Sequence, residues 1–166
     1  MDKAEAVTIL VLLLLALFLR ELNIDRPLYG DEADWYKSAL MLVNGDERWT
    51  NTYISDSPPL GKAIFVSFYA VGFNDFRQVT VLFAMASLVV TYLLARDFLG
   101  RRSALLSLIV LATSAYAIIG AQHVDRDGGM LAFFAMLVFY GYLKYAYAET
   151  QPAANRRLGS SLHAFL

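Results

Sequence analysis

Residues 79–95 read VTVLFAMASLVVTYLLA, and this run decides the class of fold. It holds no charged side chain, no proline and no glycine. At a rise of about 1.5 Å per residue it reaches most of the way across a hydrocarbon layer about 30 Å thick. Three further runs share its composition: Ala6–Leu19, Ala104–Ala121 and Met130–Tyr147, the last interrupted only by Lys144. Inside lipid every backbone N–H and C=O must be satisfied within its own segment, so such runs form helices. The predicted fold is an all-α membrane protein with about four transmembrane helices, over about 6–22, 79–95, 104–121 and 129–147. Amphipathic juxtamembrane helices are expected in a long first extracytoplasmic loop, residues 23–78.

The composition agrees. Of 166 residues 58% are hydrophobic and 17% charged, with a mean hydropathy of +0.47, too apolar for an ordinary soluble domain. A net charge of −1 and the lack of any polybasic run exclude nucleic acid as a partner. Without cysteine there is no disulfide framework, thiolate metal site or cysteine nucleophile, so any metal must use oxygen or imidazole ligands. The first apolar run is short enough for a signal-peptide core, but Asp2, Lys3 and Glu5 give it no positive flank and no small-residue cleavage site follows. It is read as a permanent helix.

Loop charges set the topology. Arg96, Arg101 and Arg102 lie between the second and third runs, and Arg156 and Arg157 follow the fourth. Four crossings place both groups on one side, which the positive-inside rule makes cytoplasmic. The segments Arg20–Arg77 and Gln122–Asp127 then face outward. Ile64–Phe73 is too short to cross comfortably and is expected to be interfacial or re-entrant.

The outer segments hold the polar chemistry. Asp31–Val43 predicts a surface helix with Trp35, Tyr36, Ala39, Leu40, Leu42 and Val43 on an apolar stripe and Asp34, Lys37 and Ser38 opposite. Asn44-Gly45-Asp46 supplies a turn, and Pro58-Pro59 restricts the approach to the next amphipathic run. Asp31 and Glu32 open the surface helix, where carboxylates also serve as caps or favour the positive helix end. Asp56 before Ser57-Pro58-Pro59 reads as a metal or donor ligand, or as an Asx-type turn. Lys62 reads as a phosphate partner or a snorkelling lysine. His123, Asp125, Arg126 and Asp127 fill the short loop, with His123 a possible metal ligand and Asp127 a natural cap for the fourth span.

These residues carry a family resemblance. The order Asp31-Glu32-Ala33, Tyr36, Gly45-Asp46, Trp49, Pro58-Pro59-Leu60, Gly72-Phe73-Asn74-Asp75-Phe76-Arg77, Gly100-Arg101-Arg102 and Asp127 with Leu131-Ala132-Phe133-Phe134 resembles the N-terminal part of the C-type glycosyltransferases. These are the protein O-mannosyltransferase and lipid A aminoarabinose transferase superfamily. The resemblance covers about Leu19 to Tyr147 and implies that residues 1–166 are the N-terminal portion of a multi-pass glycosyltransferase membrane domain. It implies transfer of a mannose-like or other hexose or pentose from a polyprenyl or dolichyl phosphate carrier, on the outer face of the plasma membrane. The acceptor would be a protein, lipid or polysaccharide, and membrane lipids are further partners. On this reading Asp31 matches the catalytic aspartate and acts as base, Glu32 and Asp127 complete the catalytic set, and Lys62, Asp56 and Arg126 bind substrate. A divalent metal, held by Asp56 and His123, is the one cofactor considered. Asp34 and Ser57 depart from the aminoarabinose branch, where basic residues are expected.

Two other classes compete. A small transporter subunit would place ionisable groups inside its spans, whereas Ala6–Leu19, Val79–Ala95 and Ala104–Ala121 carry none. A non-catalytic lipid-binding or assembly membrane protein would use the same fold without the chemistry. The apolar run that begins at Leu162 predicts a chain incomplete as an enzyme by itself.

Overall fold

The run at 79–95 forms the middle of a 24-residue helix, Phe76–Leu99. The computed structural model describes residues 2–22, 24–28, 30–46, 59–73, 75–124 and 129–150, and within these every regular element is helical. In chain order the helices are α1 (Lys3–Glu21), α2 (Asp31–Val43), α3 (Pro59–Ala70), α4 (Phe76–Leu99), α5 (Arg101–Thr113), α6 (Ala115–Ala121) and α7 (Gly129–Thr150). Helix α4 packs most extensively on α5 and α7, α1 lies mainly against α5, and α2 and α3 pack on each other.

Two helices among the described residues, Phe76–Leu99 and Gly129–Ala148, are long and apolar enough to cross a membrane. The α5–α6 pair makes a third candidate but bends by 63° at its break. Helix α1 covers the expected first span, yet Lys3, Glu5, Arg20 and Glu21 crowd its ends. Length and composition therefore support two or three crossings where four were expected.

The expectation of one continuous helix over 104–121 needs correction. Ser114 ends α5 and caps α6, its Oγ accepting from the Ala117 N–H at 3.4 Å. The carbonyls freed at the break are taken up by a side chain from another helix: Arg20 donates to Leu111 and Ala112 at 3.2 and 3.3 Å. Kinks arise where a side chain inserts into the helical ladder in this way. The short amphipathic helix also starts earlier than Ile64, because Pro59 suits a first helical turn, having no N–H to leave unpaired. Helix α2 has the expected bounds, but Ser38 is buried beside Trp35 and Ala39 rather than on the water-facing side.

Polar ties order the two ends of the bundle. Arg101 pairs with Asp2 at 2.7 Å, and Lys144 with Asp97 at 2.8 Å. The start of α1, the α4–α5 turn and the second half of α7 thus share one end. At the other end Gln122 donates to the carbonyls of Arg20 and Leu22, both at 2.7 Å. One core, around Ala16, Leu88, Tyr92, Ala104, Leu108 and Ala112, fills the space among α1, α4 and α5. A second, around Trp35, Ala39, Phe65, Phe76, Val79 and Met130, joins α2, α3 and the starts of α4 and α7. Gly129 brings α7 against α4: a Cβ there would lie 2.3 Å from the Thr80 carbonyl oxygen and 2.8 Å from the Ala84 nitrogen.

Candidate active site

The second core supports a polar knot at the mouth of the bundle, centred on Glu32. This carboxylate is 1% exposed and accepts two bonds from one guanidinium, Arg77 Nε to Oε1 at 2.8 Å and Arg77 Nη2 to Oε2 at 3.0 Å. The forked geometry is the strongest that a carboxylate and an arginine can make. Oε1 also accepts the Val124 backbone N–H at 3.3 Å. Arg26 approaches Oε2 at 3.7 Å and His123 Nδ1 at 3.9 Å. The remaining N–H groups of Arg77 reach the carbonyls of Ile24, Arg26 and Pro27, so one side chain ties down the stretch that leads into α2.

Electrostatics follow from these contacts. Burial works against ionisation of Glu32, but the Arg77 bonds, the Val124 N–H and the charge of Arg26 outweigh it and hold the carboxyl below its ordinary value. Glu32 is thus a charged partner of Arg77 with both oxygens engaged. Arg77 itself stands in the first turn of α4, where the helix dipole disfavours a cation, two residues after Asp75, which caps the helix by accepting the Arg77 N–H at 2.9 Å. The pair with Glu32 offsets that unfavourable placement.

Asp31 immediately precedes Glu32 and is the first residue of α2. Gly30, at φ 52°, occupies the N-cap position, so Asp31 is not itself the cap. Its backbone is fixed by its neighbour in the knot, next to the segment His123–Val124 that leads toward 125–128. The Asp31 side chain lies outside the described residues, as do Asp56, Arg126 and Asp127.

Lys62 is fully buried on α3 with its ammonium 5.9 Å from the centre of the Trp35 ring, and burial pushes its pKa down. Gly61 lies against that ring, at a distance where a Cβ would make ordinary contact, 3.6 Å. His123 is half-buried and faces Glu32, and among the described residues no three carboxylate or imidazole groups gather as metal ligands would. Because the Glu32 oxygens already accept from Arg77 and Val124, this pair does not fit a cation.

The structure therefore brings together Glu32, His123 and the start of α2, and sets Lys62 in the adjoining aromatic core. Arg77, Arg26 and Trp35 complete the arrangement, and none of them is among the site residues expected from sequence. The signal for Arg77 was present: a cation in the first turn of an apolar helix demands a buried anion, and the sequence offers one in Glu32.

The profile of the dolichyl-phosphate-mannose-protein mannosyltransferase family matches residues 56–151. Comparison with curated proteins and with solved structures gave no match.

Proposed function

The chain belongs to the dolichyl-phosphate-mannose-protein mannosyltransferase family of membrane glycosyltransferases, and on that premise we propose that it takes part in moving a mannose-like or other hexose or pentose from a polyprenyl or dolichyl phosphate to an acceptor. The observation that carries this reading is the Glu32–Arg77 clamp, which fixes the start of α2, and with it the backbone of Asp31, at the mouth of the bundle. An acceptor hydroxyl oxygen attacks the anomeric carbon of the donor, and the bond from that carbon to the carrier phosphate oxygen breaks. Asp31 takes the hydroxyl proton, and the lipid phosphate leaves with the bonding electrons. Lys62, Arg126 and Asp56 are the groups we assign to the donor phosphate and sugar, and Asp127 to the acceptor side. No step is routed through a metal: Asp56 lies outside the described residues, and the Glu32 oxygens that His123 faces already accept from Arg77 and Val124.

The acceptor is a protein, a lipid or a polysaccharide on the extracytoplasmic face of the plasma membrane. Family membership supports an acceptor in general terms, and the resemblance to the mannosyltransferase branch at Pro58-Pro59-Leu60-Gly61-Lys62 favours a protein. The test incubates membranes that contain the chain with radiolabelled polyprenyl-phosphate mannose and separates protein, lipid and polysaccharide products. Label passing to none of the three, from membranes that retain the folded chain, would overturn the proposal.

A further inference from the structure

A cleft of about 310 Å³ opens among α4, α5, α6 and the first half of α7. Its wall is apolar except at Arg20, at Tyr116 and at the Ser87 and Thr91 hydroxyls, the last two already bonded to carbonyls of their own helix. Arg20 is 1% exposed. Its guanidinium donates only to neutral carbonyls, those of Ala16, Leu111 and Ala112, and its Nε has no partner. Among the described residues no carboxylate stands within ion-pair reach of it. The end of α5 offers at most about half a negative charge from its dipole. An arginine enclosed in protein without an anion costs several kcal/mol, so the arrangement is one charge short.

The shape of the cleft indicates the source of that charge. Ala16 packs with Leu88 in the first core, and Arg20 stands one turn beyond Ala16, level with Ala84 on the antiparallel α4. From Ala84 the wall continues past Leu88 to Thr91, beyond the midpoint of α4, a length of about 10 Å at the helical rise. A cation at the outer end and an apolar trough toward the bilayer centre suit a lipid chain with an acidic head. Tyr116, 90% exposed on the rim, belongs to the residue type that sits at the headgroup level. The cleft shares no lining residue with the Trp35–Phe65 core that holds Lys62, so its occupant is distinct from a carrier bound there.

We propose that this cleft binds one acyl chain of an anionic glycerophospholipid, with the headgroup phosphate accepting from Arg20. The inference is independent of the transfer reaction. The whole chain, purified in neutral detergent, is exposed to equal amounts of dioleoylphosphatidylglycerol and dioleoylphosphatidylcholine, and retained lipid is counted by native mass spectrometry. The acidic lipid should be retained about tenfold over the zwitterionic one. Arg20→Gln should bring the two to parity. Gly120→Leu should reduce retention of both, since a Cβ at Gly120 meets nothing within 4 Å and the added side chain fills the cleft while Arg20 stays intact. If Arg20→Gln does not fold, the parent preference and Gly120→Leu decide the matter together. Parity in the parent, or retention unchanged by Gly120→Leu, would overturn the proposal. Displacement of the phospholipid by inorganic phosphate alone would reduce the site to an anion pocket, and displacement by stoichiometric undecaprenyl phosphate would assign it to the carrier. Either result also refutes the assignment made here.

Discussion

At the scale of single residues, substitution separates the tasks we propose for the two acids that open α2. Asp31→Asn keeps size and polarity at the first helical position and gives up about 0.3–1 kcal/mol of charge–dipole interaction. In membranes where the parent chain supports transfer, its rate should fall about 100-fold or more, with thermal stability nearly unchanged. Near-parental transfer by this variant would move the search for the base to Asp127. Glu32→Gln should do the reverse of sparing the fold: it leaves Arg77 buried beside a neutral amide, and about 3–5 kcal/mol of stability should go, read as a lowered unfolding midpoint in detergent. Acid should mimic it. Because the folded Glu32 carboxyl lies below its ordinary value, its stabilisation is present in full above that ordinary value and is lost as pH falls through the lower folded one. A Glu32→Gln protein should therefore lack that part of the parent's acid-induced loss, and an unchanged acid profile would show that Glu32 contributes nothing. That Asp31 and Glu32 open a helix could be read from sequence, because the amphipathic pattern starts there. The burial of Glu32 could not, since that depends on Arg77, 45 positions away.

At the scale of elements, contact between α4 and α7 depends on an absent side chain. Gly129→Ala would drive a methyl into the α4 backbone at Thr80 and Ala84, and rigid main chain cannot yield as a flexible side chain does. We expect a loss of about 1–3 kcal/mol and weaker disulfide trapping between cysteines placed on the two helices. Gly141→Ala on the same helix, with nothing within 4 Å of the new methyl, should be neutral or slightly stabilising and serves as the control. Equal stability of the two variants would refute the close approach. Helix positions were legible where hydrophobic periodicity was long and unbroken, as in α2 and α4. The break at Ser114 was not, because no proline or glycine marks it and its cause is a guanidinium supplied by α1. The start of α3 was hidden for another reason: a Pro-Pro pair signals a corner, although Pro59 is equally favoured at a first helical position.

At the scale of the whole molecule, the ties Asp2–Arg101 and Lys144–Asp97 gather three chain segments at one end, and the Gln122 and Glu32 contacts gather four at the other. With no native cysteine, single cysteines report this arrangement directly. Lys3→Cys and Arg102→Cys should resist an impermeant maleimide in intact cells and react after permeabilisation, while Asp25→Cys and Lys37→Cys should react in both. All four positions are exposed, so identical labelling throughout would contradict the bundle's polarity. The alternation of apolar runs with charged loops made the gathering of segments at two ends readable from sequence, whereas the count of crossings was obscured by charges at the ends of α1 and by the bend between α5 and α6. The reach of the Glu32 contacts has a further consequence, for the order in which the protein is made. Glu32 leaves the ribosome 45 residues before Arg77 and 92 before Val124. During synthesis the mouth of the bundle is therefore an unfinished joint, holding an unmatched acid until α4 and then α6 have been threaded. A nascent chain arrested before Val124 emerges should remain open to protease around residues 24–33, and one arrested well beyond it should be closed.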